Sequence, residues 1–152
     1  MLEILNRIEP YSSLGLRLEA LDSERAVISM PLDGNRNDKG TGFAGSLYSA
    51  LVLAGWCLTM KTCADRGDGP WEAMIKGSQV SFLRPVASDC RAVARFDGPP
   101  EPKGKGRWKV AVTVAAFDAE NRLCAEFHGD YRGFSAARPP ADRPTTDHQR
   151  KG

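Results

Sequence analysis

Two asparagines, an aspartate, a glycine and a serine crowd the start of the least charged stretch of this chain. Asn35, Asn37 and Asp38 fall in the polar segment NRNDKG, and Gly45 and Ser46 follow within GTGFAGSLYSALVLAGWCLTM, residues 40–60. That run contains no Asp, Glu, Lys or Arg, although those four types make up 26% of the chain. The first backbone N–H groups of a helix have no acceptor within it, so amide side chains and free N–H groups at the mouth of an apolar helix make a ligand site. His128 and Asp130 stand two apart on a predicted strand and share a face, as an acid and base pair would, and as two groups on a solvated face would too. No Ser, His and Asp triad can be assembled. Cys57, Cys63, Cys90 and Cys124 include no CxxC pair, and His128 and His148 are the only histidines. No metal site or cofactor is expected, and the cysteines read as reduced core thiols.

The elements that position these groups follow from apolar patterning. A helix apolar on every side has to be enclosed by protein or by lipid. A membrane span needs about 20 apolar residues, and the glycines, serines and threonines dilute this run. The better estimate is a core helix from Phe43 to about Met60, with no membrane span. MLEILNRIEPY has Glu3 early and no long apolar stretch before a small-residue cleavage site, so a cytoplasmic location is expected. At 152 residues and 41% hydrophobic, the chain suits one core. Its net charge of +2 is too small to imply a nucleic-acid partner.

Residues 2–8 suggest a short helix stopped by Pro10. Strands are expected at 16–21 and 25–32, the second with Ala26, Ile28, Met30 and Leu32 on one face. After the helix, Gly67, Gly69 and Pro70 suggest a loop, followed by strands at 72–83, 90–96, 108–117 and 123–134. The strand at 108–117 sets Val110, Val112 and Val114 opposite Ala111, Thr113 and Ala115, and Asp118 to Arg122 turns it into the next as a hairpin. Two strands, one helix and four strands give an α+β fold, an antiparallel sheet of about six strands curled around one long central helix. The domain occupies 1–135, and residues 136–152, rich in proline and without periodicity, are expected to be a disordered tail.

On these residues the chain resembles a known family. NRNDKGTGFAGSLYSALVLAGW, residues 35–56, is similar to the signature of the thioesterase-like domain at the C-terminus of YiiD-type proteins, and SFLRPV, residues 81–86, is similar to the strand end of many hotdog-fold proteins. The resemblance implies a hotdog fold and a homodimer, or a dimer of dimers, joined by sheet edges. It also implies sites at the interface for acyl thioesters of coenzyme A or of acyl-carrier protein. Phe43, Ala44 and Gly45 stand where many hotdog enzymes have His-Gly-Gly, and the helix carries no Asp or Glu between Asp38 and Asp65. A helix-borne base is therefore excluded. N–H groups of Ala44, Gly45 or Ser46 remain to hold an oxyanion, Gly45 suits close approach of a ligand, and Asn37 is the first candidate to position water, with Asn35, Asp38 and Ser46 behind it. Asn35, Phe43, Ala44, Tyr48, Trp56 and Met74 are candidates for substrate binding. Lys103, Lys105, Arg107 and Lys109 could meet phosphates or an acidic carrier, or simply be solvated. A non-catalytic acyl-binding module is the alternative function.

Overall fold

The period-2 runs become strands of one antiparallel sheet, and the uncharged run becomes the helix that the sheet wraps. The computed structural model describes residues 1–137. Its elements are α1 (Leu2–Asn6), α2 (Glu9–Ser13), β1 (Arg17–Leu21), β2 (Arg25–Met30), α3 (Ala44–Arg66), β3 (Asp68–Phe82), β4 (Cys90–Phe96), β5 (Glu101–Pro102), β6 (Arg107–Asp118) and β7 (Leu123–Ala136). The strands lie in the order β1-β2-β4-β6-β7-β3, all pairings antiparallel, with the short β5 beside β6. This is the expected α+β architecture of six main strands curled around one helix. On β6, Val110, Val112 and Val114 point into the core, and Ala111, Thr113 and Ala115 stay half-exposed on the outer face. Ala26, Ile28, Met30 and Leu32 are buried together, as the pattern predicts.

Helix α3 passes a length and composition test for crossing a membrane, but 67% of its apolar window is buried inside the protein. It packs against β2, β3, β4, β6 and β7. Leu47, Leu51 and Leu58 are almost wholly buried, and each such side chain contributes about 1.5–3 kcal/mol. Gly55 admits the closest contact. A Cβ there would sit 2.5 Å from the Tyr131 hydroxyl, which donates to Val52 O at 2.6 Å. Burial pushes that phenol's pKa up. Burial also pushes the Cys57 and Cys90 thiols up to about 12 and Cys63 to about 11, so the buried thiols stay protonated and inert.

Several boundaries differ from the sequence expectation: α1 ends at Asn6 rather than at residue 8, and β2 ends at Met30 rather than at residue 32. The helix continues six residues past Met60. Its last turns satisfy themselves, Thr62 donating to Leu58 O and Lys61 pairing with Asp65, while Arg66 lies over the Trp108 ring. The charges at Lys61, Asp65 and Arg66 mark the less buried side of a helix whose Thr62 and Cys63 remain buried. Pro10 does not stop a helix but occupies the first turn of α2, where its missing N–H costs nothing. β3 begins at Asp68, directly after the Gly67 cap of α3, rather than beyond a loop. β7 extends to Ala136, and the rest of the expected tail, from residue 138, lies outside the described residues.

The β6–β7 turn is tied by Asp118. Its carboxylate accepts from the Arg122 and Glu120 backbone N–H groups and from the Arg122 guanidinium. These bonds, the Arg122 N–H foremost, hold its pKa below the ordinary carboxylate value. A depressed folded pKa contributes stability that is present above the unfolded value of about 3.9 and disappears as pH falls through the folded value. Asp118→Asn is therefore expected to melt below wild type at pH 7, with the gap closing under acid. Thermal melts of both proteins from pH 7 to 2.5 test this, and a gap constant with pH would contradict it.

Candidate active site

The loop between β2 and α3 is built by its two asparagines. The Asn35 carboxamide donates to Leu14 O and Pro31 O, both at 2.8 Å, and its backbone O accepts from Phe43 N at 2.7 Å. Asn35 is only 2% exposed, and its Oδ1 is buried without a donor. Asn37 works nearer the surface. Its Oδ1 accepts from the N–H groups of Lys39 and Thr41, and its Nδ2 donates to Thr41 Oγ1. Such side-chain bonds to residues two and four ahead are how Asn fixes a turn. Asp38 sits at the exposed tip beside Lys39. Gly42 N donates to Val86 O at 2.7 Å, and a Cβ at Gly42 would lie 3.1 Å from Val86 Cβ. The loop is thus pressed against the chain that follows β3.

The helix it delivers is uncapped. Phe43 is the N-cap residue, extended at φ −66 and ψ 130, and offers no side-chain acceptor; no acid lies in the first turn. Leu47 N bonds Phe43 O, while the N–H groups of Ala44, Gly45 and Ser46 have no acceptor among the described residues. Three donors and the positive end of a 23-residue helix are therefore open to a ligand. Gly45 and Ser46, though not Ala44, line a 490 Å3 cavity with Phe43 and Ser49 on one side and with Glu9, Pro10, Ser13 and Leu14 on the other. The Phe43 ring, 54% exposed, leans over Gly45, where a Cβ would lie 2.6 Å from it. Ser46 Oγ makes no hydrogen bond to a described residue, whereas Ser49 Oγ donates to Gly45 O.

Glu9 is the only ionisable side chain lining this cavity, and sequence reasoning missed it. The signal was present, since an acid followed by proline marks the first turn of a helix. Reading Pro10 as a helix stop leaves Glu9 outside any element.

The other candidates separate. Tyr48 turns toward β3, its hydroxyl 2.5 Å from Ser78 Oγ and its ring edge-on to Phe127. Trp56 lies three turns further along α3 and donates to Ala73 O. Met74, half-exposed, pairs across the ladder with Arg132, whose strand neighbours Tyr131 and Gly133 face the core. Met74 is therefore on the outer sheet face and does not join the helix start. His128 and Asp130 share that outer face, His128 near Thr113 and Asp130 paired with Arg132 at 2.6 Å.

Comparison with known proteins gives a consistent picture. The family described as "Putative thioesterase (yiiD_Cterm)" matches residues 5–134. The structure of a putative thioesterase from Shewanella oneidensis is 26% identical, with a TM-score of 0.72, over 88% of this chain and 99% of that one. A Pseudomonas aeruginosa structure described as a probable thioesterase is 24% identical, with a TM-score of 0.72, over 89% of this chain and 96% of that one. A putative esterase of Saccharolobus solfataricus is 22% identical over 129 residues, 85% of this chain and 80% of its own length.

Proposed function

Because the chain belongs to the YiiD C-terminal-domain family, with the hotdog fold, we propose that it hydrolyses acyl thioesters of coenzyme A or acyl-carrier protein at the start of α3. The observation that carries this reading is one cavity lined on one wall by Gly45 and Ser46, whose helix N–H groups are unspent, and on the other by a single carboxylate, with the unspent Ala44 N–H in the same first turn. Thioester hydrolysis needs both parts. The carbonyl oxygen is taken by the N–H groups of Ala44, Gly45 and Ser46, which stabilise it as negative charge develops. Glu9 draws a proton from water as the water oxygen bonds to the carbonyl carbon. The tetrahedral intermediate collapses, the C–S bond breaks, and the departing thiolate takes the proton from Glu9, which returns to its carboxylate form. Ser46 Oγ is the free hydroxyl beside the reacting carbonyl. Asn37 acts as a positioning residue, holding the loop that sets the first turn of α3, and Asn35 anchors the Phe43 amide. Phe43 and Ala44 line the acyl group's approach, with Tyr48 and Trp56 deeper along the helix.

The working form is a homodimer joined through β3. This 15-residue strand lies at the sheet edge with one side of its ladder unpaired, and Ile75, Phe82 and Leu83 expose apolar surface on or beside it. Long apolar edges are covered in stable proteins. Four free cysteines fit a reducing compartment, the cytoplasm.

One observation favours the alternative, a non-catalytic acyl-binding module: the Phe43 ring lies over Gly45, the position nearest the open donors. Thiol release from acyl-coenzyme A substrates ranging from acetyl to palmitoyl and including an aromatic acyl group separates the two. Saturable release is expected. No release above buffer from these or from acyl-carrier substrates, with acyl-coenzyme A still bound, would establish the binding module.

A further inference from the structure

One hydroxyl of α3 is left unspent where the others are tied down. Ser49, Thr59 and Thr62 each donate to the carbonyl four residues back, at Gly45, Gly55 and Leu58, which is how a helix absorbs a short hydroxyl. Tyr48 bonds Ser78. Ser46 has no such outlet. It is the third residue of the helix, so the carbonyl four back is that of Gly42, which precedes the N-cap and accepts from Asn37 Nδ2 at 3.5 Å. Ser46 Oγ makes no hydrogen bond among the described residues, yet Ser46 is only 6% exposed. Buried hydroxyls are ordinarily satisfied.

Ser46 lines the 490 Å3 cavity at the mouth of α3, and the rest of that lining narrows what its hydroxyl can meet. Only Phe43, Pro10 and Leu14 bring apolar side chains, and half of the lining residues are polar. A long acyl chain is stabilised by an apolar wall, which this cavity does not offer. No Lys, Arg or His lines it, and Glu9 does. An acyl group ending in a carboxylate therefore meets like charge and no counter-charge. What fits is a short, neutral acyl group that carries a hydrogen-bonding group of its own.

We propose, resting on the reading of the chain as a hydrolase of acyl thioesters, that Ser46 Oγ selects acyl groups bearing a hydroxyl one or two carbons from the reacting carbonyl, the 2- and 3-hydroxyacyl thioesters. In that reading the Ser46 N–H holds the carbonyl oxygen, and Oγ is three bonds from the same nitrogen. The substrate atoms that meet the two are therefore close neighbours, a carbonyl oxygen and a hydroxyl on C2 or C3. Ser46 Oγ exchanges a hydrogen bond with that hydroxyl and takes no part in bond breaking. A plain acyl group leaves Oγ buried and unpaired, which is how a site built for a hydroxyl rejects the analogue that lacks it.

Thiol release by the full chain from racemic 2-hydroxybutyryl- and 3-hydroxybutyryl-coenzyme A, each against butyryl-coenzyme A, tests this. At least one hydroxyacyl substrate is expected to exceed butyryl in kcat/KM by about fivefold or more, the worth of one neutral hydrogen bond. Ser46→Ala keeps every backbone N–H and is expected to bring that ratio back to within about twofold of one, on the same hydrogen-bond worth. A ratio does not register lost stability or lost active protein, so a merely structural role for Ser46 leaves it unmoved. Ser46→Cys, closer in volume, serves should the alanine variant misfold. Calorimetric titration of the same three thioesters into Glu9→Gln reads the preference without relying on hydrolysis. Equal turnover of all three, equal binding where none is turned over, or a ratio unchanged in the Ser46 variant would overturn the hydroxyl assignment. Equal turnover leaves the hydrolase reading standing. Tighter binding of a hydroxyacyl thioester with thiol released from none would instead sink the hydrolase reading and leave the hydroxyl site in place.

Discussion

Replacing Glu9 by Gln is expected to lower kcat for thioester hydrolysis by about 10²-fold or more, the range for losing a general base, with a smaller change in KM. Gln keeps the size and hydrogen-bonding reach of the side chain and removes only its ability to take a proton. Stability gives the control. Glu9 is exposed and makes no ion pair or side-chain hydrogen bond among the described residues, so its folding role reduces to a carboxylate in the first turn of α2, worth about 0.3–1 kcal/mol. A variant that folds and melts like wild type but loses turnover assigns the proton to Glu9. Full activity in Glu9→Gln would leave the helix N–H groups without their partner and turn attention back to Asn37.

What the sequence disclosed and what it hid divide along a physical line. The strands at 90–96 and 108–117 were legible because each buries one face of a pleated sheet, and burial writes a period of two into the residues. Helix α3 was legible for the complementary reason: enclosed by the curled sheet, it tolerates no charge for its first four turns. Its last six residues were not, since there Lys61, Asp65 and Arg66 occupy the less buried side of a helix whose Thr62 and Cys63 are still packed against the sheet.

The site was half legible. Asn35, Asn37, Gly45 and Ser46 are neighbours in sequence, and their type advertises a polar mouth. The roles of the two asparagines were less visible, because a carboxamide that orients water and one that ties its own loop look alike until hydrogen bonds are counted. Asn37 engages Lys39 N, Thr41 N and Thr41 Oγ1, which is why it is placed here as a positioning residue. Glu9 could not be paired with Gly45 by any local rule, being 36 positions away and brought close only when the α2 segment folds over the mouth of α3. The basic cluster has the same origin: the lysines of the hairpin at 101–109 are evident as a run, but Lys76 and Arg132 join them only through the β3–β7 and β6–β7 ladders.

Substituting Ala44 by Pro should remove one oxyanion donor while leaving the helix intact, and kcat is expected to fall by about 10²–10³-fold, as for loss of one donor at such a site. Backbone donors escape ordinary mutagenesis, but a first helical position is the exception. Its N–H has no intrahelical acceptor to lose, and the fixed φ of proline matches the helix. The residue before a proline must be extended, and Phe43 already is, at φ −66 and ψ 130. Proline at Gly45 or Ser46 would put a helical residue in that place and shift the helix start, so only Ala44 gives a clean reading. The melting temperature should stay within a few degrees of wild type. If it does and kcat collapses while acyl-coenzyme A still binds, stabilisation is being lost in the transition state rather than in the ground state. If kcat is unchanged, the Ala44 N–H is not a donor in the reaction, and the oxyanion must rest on Gly45 and Ser46, the two first-turn residues that line the cavity.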